Sequence, residues 1–150
     1  MPQSLSLVIV HVIFSRKERR PFPDPDMRPK LHAYLATVAR KIGCETYRVG
    51  GVADHVHLAI RLSRTVTIAD LVEALKTSSS KWVKTQSPDH EAFSWQRGHG
   101  CFSVGPSDLD ALRASIDDQE NHHHTRTFQD EFWMFLKKYG VEYDEAYVWD

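Results

Sequence analysis

The sequence predicts an α+β fold built on an antiparallel sheet, on three observations. Short runs rich in β-branched residues alternate with longer segments whose apolar residues recur every three to four positions. The connections between them are short and marked by Gly, Pro and Ser. The resulting order, β-α-β-β-α-β-α-α, is that of a ferredoxin-like split β-α-β core with helices on one face and added C-terminal helices.

Residues 5–14, LSLVIVHVIF, form a continuous β-branched run that reads as a central strand. The following PFPDPDMRP stretch carries four prolines and predicts a loop. Over residues 30–42, Leu31, Tyr34, Leu35, Val38 and Ile42 recur at helical spacing, and Gly43 is the expected stop. Two strand-like segments follow, ETYRVGG and HVHLAIRL, with the junction expected near Gly50 and Gly51. Thr67 with Asp70 suggests a capping box for a second helix carrying Leu71, Leu75 and Trp82. CFSV at 101–104 reads as a short strand. Ser107 is the expected start of a third helix, with Leu109, Leu112 and Ile116 on one face. Thr127 opens a fourth, FQDEFWMFLKKY, which Gly140 ends.

The bulk numbers bound the answer. A chain of 150 residues suits one domain spanning 1–150. Its 41% hydrophobic and 26% charged content is ordinary for a globular protein. No apolar stretch approaches a transmembrane span. The N-terminus lacks both a basic region ahead of its apolar run and a small-residue cleavage site, so it reads as a strand and not a signal peptide. Cys44 and Cys101 are isolated thiols that suit a reducing cytoplasm. The formal net charge of −1 argues against a diffusely basic nucleic-acid binder, but a local patch still suffices for phosphates. The candidate patch is SRKERRP, with Arg16, Lys17, Arg19 and Arg20, whose plainer reading is a solvated loop.

The chemistry concentrates in VGGVADHVHLAIRL. His55 and His57 are two apart in a strand, so both imidazoles project from one face with Cα atoms roughly 6.5–7 Å apart. Neutral imidazole is a common ligand for divalent metals, and two on one face supply half a coordination sphere. Asp54 is expected on the opposite face or in the turn. A third ligand must come from elsewhere, and Gln119, one helical turn after Ser115, is the candidate. The run His122-His123-His124 is the obvious rival. Successive helical residues fan out by about 100°, so three in a row do not converge on one ion, and the run reads as a polar helix end or loop.

Taken together, HVIFSRKERRPF, GGVADHVHLAI, SSSKWV, FSWQRGHGCFSV, DDQENHH, FQDEF and GVEYDEAYVW occur in an order that resembles one family over nearly the whole chain. It is that of the single-tyrosine HUH transposases of the insertion-sequence-200 type, including the relatives associated with repetitive extragenic palindromes. The resemblance implies a ferredoxin-like homodimer that binds single-stranded DNA, often folded into hairpins. His55 and His57 match the HUH motif that holds a divalent metal, usually Mg2+ or Mn2+, and Gln119 matches the polar residue that completes the site. The metal polarises the scissile phosphate. A tyrosine four residues before that glutamine normally attacks phosphorus, leaving a 5′-phosphotyrosine and a free 3′-hydroxyl.

This chain departs from the pattern there, because the position of the family tyrosine is Ser115. A serine hydroxyl is shorter than a phenol, and its alkoxide is a poorer leaving group than phenolate, whose phenol has a pKa of about 10. Tyr139, Tyr143 and Tyr147 are substitute candidates, but each also reads as a packing residue. Three functions therefore stay open: a transposase using another nucleophile, a hairpin-binding module that has lost catalysis, and a phosphodiesterase using activated water. For DNA contact, Lys76 and Lys81 on the second helix join Arg16, Lys17, Arg19 and Arg20. Trp82 and Trp95 are candidate base-stacking residues, with core packing favoured for Trp82.

Overall fold

The computed structural model describes residues 2–21, 26–52, 54–119 and 127–150. The histidine run at 122–124 and part of the proline loop lie outside the described residues. Four strands, β1 (Ile9–Ser15), β2 (Glu45–Val52), β3 (His55–Arg61) and β4 (Gly100–Val104), form one sheet in the order β2-β3-β1-β4. Every neighbouring pair is antiparallel. Among the described residues four α-helices accompany them: α1 (Met27–Lys41), α2 (Ile68–Gln86), α3 (Leu109–Asp117) and α4 (Phe128–Tyr139). The predicted α+β fold and element order are both present.

Alternation along the two central strands divides the molecule. Val10, Val12 and Phe14 of β1, with Val56, Leu58 and Ile60 of β3, face the larger core. There they meet Leu31, Leu35 and Val38 of α1 and Leu71, Leu75 and Val83 of α2. Each such fully buried side chain contributes roughly 1.5–3 kcal/mol. The opposite face is also covered. Ile13 and Phe102 meet Phe128, Phe132 and Leu136 of α4, with Phe135, Val148 and Trp149 at the margin. The added C-terminal helices thus supply a second layer, on the face that carries His55 and His57.

Several boundaries shift for identifiable reasons. The apolar run at 5–14 enters the sheet only at Ile9, because Leu5, Leu7 and Val8 find no covering layer and stay exposed. Helix α1 begins three residues before Lys30, since Pro29 is tolerated in a first turn where no N–H partner is needed. The glycine pair does not form the hairpin turn: both residues lie inside β2, which continues to Val52. Pro106–Asp108 form a 3-10 turn, so α3 itself starts at Leu109. Thr67 accepts a hydrogen bond from the Asp70 amide at 3.0 Å. The complete reciprocal capping box is at Thr127 and Asp130. Gly43 and Gly140 end α1 and α4 as expected, both with positive φ.

Gly50 has a packing role that brings α3 to the sheet. It pairs with His57, and a Cβ there would stand 2.6 Å from Ile116 Cγ2 and 3.1 Å from the Ile116 carbonyl oxygen. Helix α3 therefore rests directly on the β2 backbone. Gly50→Ala is expected to push the two apart and destabilise the fold by about 1–3 kcal/mol, read as a lowered urea midpoint at unchanged m-value.

Candidate functional site

The site lies on the second face, where β1 and β3 run side by side and α4 crosses over them. His55 and His57 share that face, with ring centroids 5.1 Å apart and relative exposures of 0% and 1%. Their neighbours across the register are Ser15 and Ile13. His55 Nδ1 meets Asp54 Oδ1 at 2.6 Å, so the aspartate at the turn steers the first imidazole. His57 Nδ1 lies 2.8 Å from His11 Nε2. Burial, and then the nearby Lys138 charge, push the His11 pKa down to about 4, so that ring is neutral at pH 7.

Glu131 comes from the buried face of α4. Its Oε1 is 3.3 Å from His57 Nε2 and accepts a hydrogen bond from Gln119 Nε2, also at 3.3 Å. One ligand atom from each of His55, His57 and Glu131 lies within 4.8 Å of the others, a spacing that suits a single metal ion. A histidine bound through Nε2 keeps its proton on Nδ1, where His55 can donate to Asp54 and His57 to His11. The donor chemistry present therefore fits a divalent ion.

Gln119, the third ligand expected from the sequence, is buried in this cluster. Its amide nitrogen reaches the Ser115 carbonyl at 3.2 Å as well as Glu131. Ser115 is half-buried on α3, one turn earlier. Glu131 and His11 were not singled out from the sequence. Glu131 did leave a signal, being the acidic residue among Phe128, Phe132 and Leu136 on the apolar face of α4. His11 left one as the imidazole in the middle of the apolar stretch from Leu7 to Phe14.

Aromatic rings close the site. The Phe128 ring packs on His55 with centroids 4.7 Å apart, and Phe135 sets an edge against His11 at 5.1 Å. Phe132 lies over β4 at Gly100, where a Cβ would come within 2.6 Å of its Cε2.

The predicted DNA-contact residues divide by environment. Arg16 is buried, with its guanidinium bonded to the Pro21 carbonyl and 5.1 Å from the Phe93 ring. Lys17 is exposed, and Arg20 pairs with Glu18 at 2.9 Å on the surface. Arg19 lies over the Trp149 ring at 5.9 Å. Glu18 and Arg19 both have φ near +60°, a backbone conformation uncommon for residues other than glycine. Lys17 and Arg19, with Arg97 and Trp149, line a cleft of about 560 Å³. Arg97 is a basic residue the sequence did not single out. Lys76 is turned inward: its ammonium donates to the carbonyls of Gln96, Arg97 and Gly98, and burial pushes its pKa down to about 8. Lys81 is exposed on α2. Trp95 is in the core with its indole N–H on Ser79, and Trp82 stacks on Tyr34 at 5.1 Å.

The sequence matches the family described as "Transposase IS200 like" over residues 4–119. That stretch takes in His55, His57, Ser115 and Gln119 and stops before α4. No curated protein matches the chain. Among solved structures, a candidate transposase from Deinococcus radiodurans R1 is similar at 20% identity and a TM-score of 0.61, covering 79% of this chain and 98% of its own. A REP-associated tyrosine transposase bound to a REP hairpin is similar at 13% identity and a TM-score of 0.57, covering 82% of this chain and 74% of its own. At such identities these likenesses carry the fold. No helix among the described residues is long and apolar enough to cross a membrane.

The aromatic lid is expected to matter for stability. Phe128→Ala should cost about 3 kcal/mol, measured by urea unfolding. It should also make His55 reactive toward diethyl pyrocarbonate, followed by peptide mass spectrometry.

Proposed function

The chain belongs to the IS200-like transposase family, and on that premise we propose that it is a hairpin-binding member whose covalent strand transfer is impaired. It acts as one domain over residues 1–150 and as a homodimer, on single-stranded or hairpin DNA. The carrying observation is the contrast between the two halves of the site. The histidine pair is assembled and oriented by Asp54 and His11, whereas position 115 offers only a serine hydroxyl.

His55 and His57 would hold a divalent metal, Mg2+ or Mn2+ by resemblance to the family, with Gln119 beside them. Such an ion, when bound, withdraws electron density from a scissile phosphate. Asp54 and His11 keep the two imidazoles in the ligating tautomer. Attack on phosphorus needs an oxygen whose conjugate base also leaves readily when the step reverses. Ser115 serves that need poorly, being short and having a basic alkoxide. Burial of both imidazoles under Phe128 and Glu131 also favours the impaired reading, since α4 as docked covers the rings that a phosphodiester would have to approach. The working-transposase reading remains the second one, supported by family membership.

DNA contact is proposed for Lys17, Arg19, Arg20 and Lys81, with Arg97 added by its place in the cleft. Arg16 and Lys76 hold the loops that present them. The structure of the REP-associated relative, which is bound to a REP hairpin, supports the choice of ligand. A hairpin oligonucleotide should bind with strong salt dependence, and Lys17→Ala with Arg20→Ala should lower the log–log salt slope by about 1 for each phosphate no longer neutralised. Failure to retain the hairpin at low salt would overturn the nucleic-acid reading.

Catalysis is tested with the same hairpin DNA and Mn2+ on a denaturing gel. No covalent adduct is expected from the natural chain, and an adduct is expected from Ser115→Tyr. An adduct from the natural chain that disappears with Tyr139→Phe or Tyr143→Phe would instead establish a substitute nucleophile. Cleavage without an adduct would indicate activated water.

A further inference from the structure

Resting on the reading of His55 and His57 as metal ligands, we propose that Glu131 is the third protein ligand and that the bound ion fastens α4 over the site. The ion suited to this closed site is a first-row transition cation such as Zn2+ or Mn2+, in preference to Mg2+.

Each of the three side chains has its own supporting partner. Asp54 meets His55 at 2.6 Å, His11 meets His57 at 2.8 Å, and Gln119 meets Glu131 at 3.3 Å. Ligands oriented by such outer partners are what a metal centre requires. The set is two imidazoles and one carboxylate, with ligand atoms within 4.8 Å of one another. Three protein ligands of this type suit zinc and its neighbours. Mg2+ prefers oxygen donors and keeps several waters. Hydration has little room here, because His55, His57 and Glu131 are 0%, 1% and 7% exposed and Phe128 packs on the His55 ring.

The ligands also come from two layers. His55 and His57 are on β3, inside the sheet, while Glu131 is on α4, outside the family-matched segment. An ion bridging them ties the helix to the sheet. The carboxylate that completes the coordination is then the one that closes the entrance. DNA reaches the histidines only when α4 lifts and takes Glu131 away, so ion affinity and site opening are linked. Transition-metal occupancy would hold the protein shut, and removal of the Glu131 ligand would leave a weaker, open histidine pair.

The test uses the full chain and its Glu131→Gln variant, an isosteric change whose fold is checked by circular dichroism. ZnCl2, MnCl2 and MgCl2 are titrated by calorimetry, and amide hydrogen exchange is followed across residues 128–139. Zn2+ should bind the natural chain with one-to-one stoichiometry, at least tenfold more tightly than Mg2+, and slow exchange across α4 at least tenfold. Glu131→Gln should weaken Zn2+ binding at least tenfold and cancel the slowing. The exchange readout distinguishes this centre from an ion held on the His122-His123-His124 run. Equal Zn2+ affinity and equal α4 exchange in both proteins would overturn the role of Glu131 while leaving the histidine pair as a metal site. No binding by the natural chain, or binding unchanged by His57→Gln, would overturn the metal reading beneath it as well.

Discussion

The antiparallel register between β1 and β3 is the constraint on which the rest of the molecule depends. It sets Ile13 opposite His57 and Ser15 opposite His55 at the centre of the sheet. Because side chains alternate strictly, that register sends Val56, Leu58 and Ile60 into the core beneath α1 and α2. The intervening His55 and His57 are thereby delivered together to the other face. A slip of one residue would turn the imidazoles toward the leucines of α1 and α2 and the aliphatics toward α4. The hydrophobic demand of the larger core therefore holds the histidines in place.

The second layer exists because that other face is itself mostly apolar. Ile13 and Phe102 need cover, and α4 provides it with Phe128, Phe132 and Leu136. The aromatic packing extends into the site, where Phe128 lies on His55 and Phe135 against His11. A carboxylate at Glu131 on such a surface is costly unless it meets polar partners. It finds His57 and Gln119 there. Packing and chemistry are joined on one helix, and moving it affects both.

The basic segment after β1 shows the same double use of polar groups. Arg16 and Lys76 direct their charges to backbone carbonyls and to the aromatic faces of Phe93 and Phe14. They hold the 16–20 turn and the 96–98 loop at one end of the sheet. The tail joins that end, where the Gly98 amide donates to the Asp150 carbonyl at 2.7 Å. Lys17, Arg20 and Arg97 are left on the outside of this scaffold, with Arg20 paired to Glu18. A count of cations along the sequence does not separate the two groups.

The sequence by itself determined the α+β class, the order of elements and the shared face of His55 and His57. All three follow from local periodicity, which a strand or helix obeys wherever it is placed. It also exposed Ser115 as the departure from the family pattern, a matter of residue identity alone. Gln119 was legible as a companion of the histidines only through the resemblance to the family, whose pattern has a polar residue one turn after position 115. Tertiary structure decided what periodicity does not reach: that α4 lies across the second face, that Gly50 lets α3 touch β2, and that Glu131 and His11 meet His57 from positions far apart in the chain. Those meetings depend on which layers stack and at what distance. Such spacing is set by the packing of side chains from several elements at once, and no single stretch of sequence contains it.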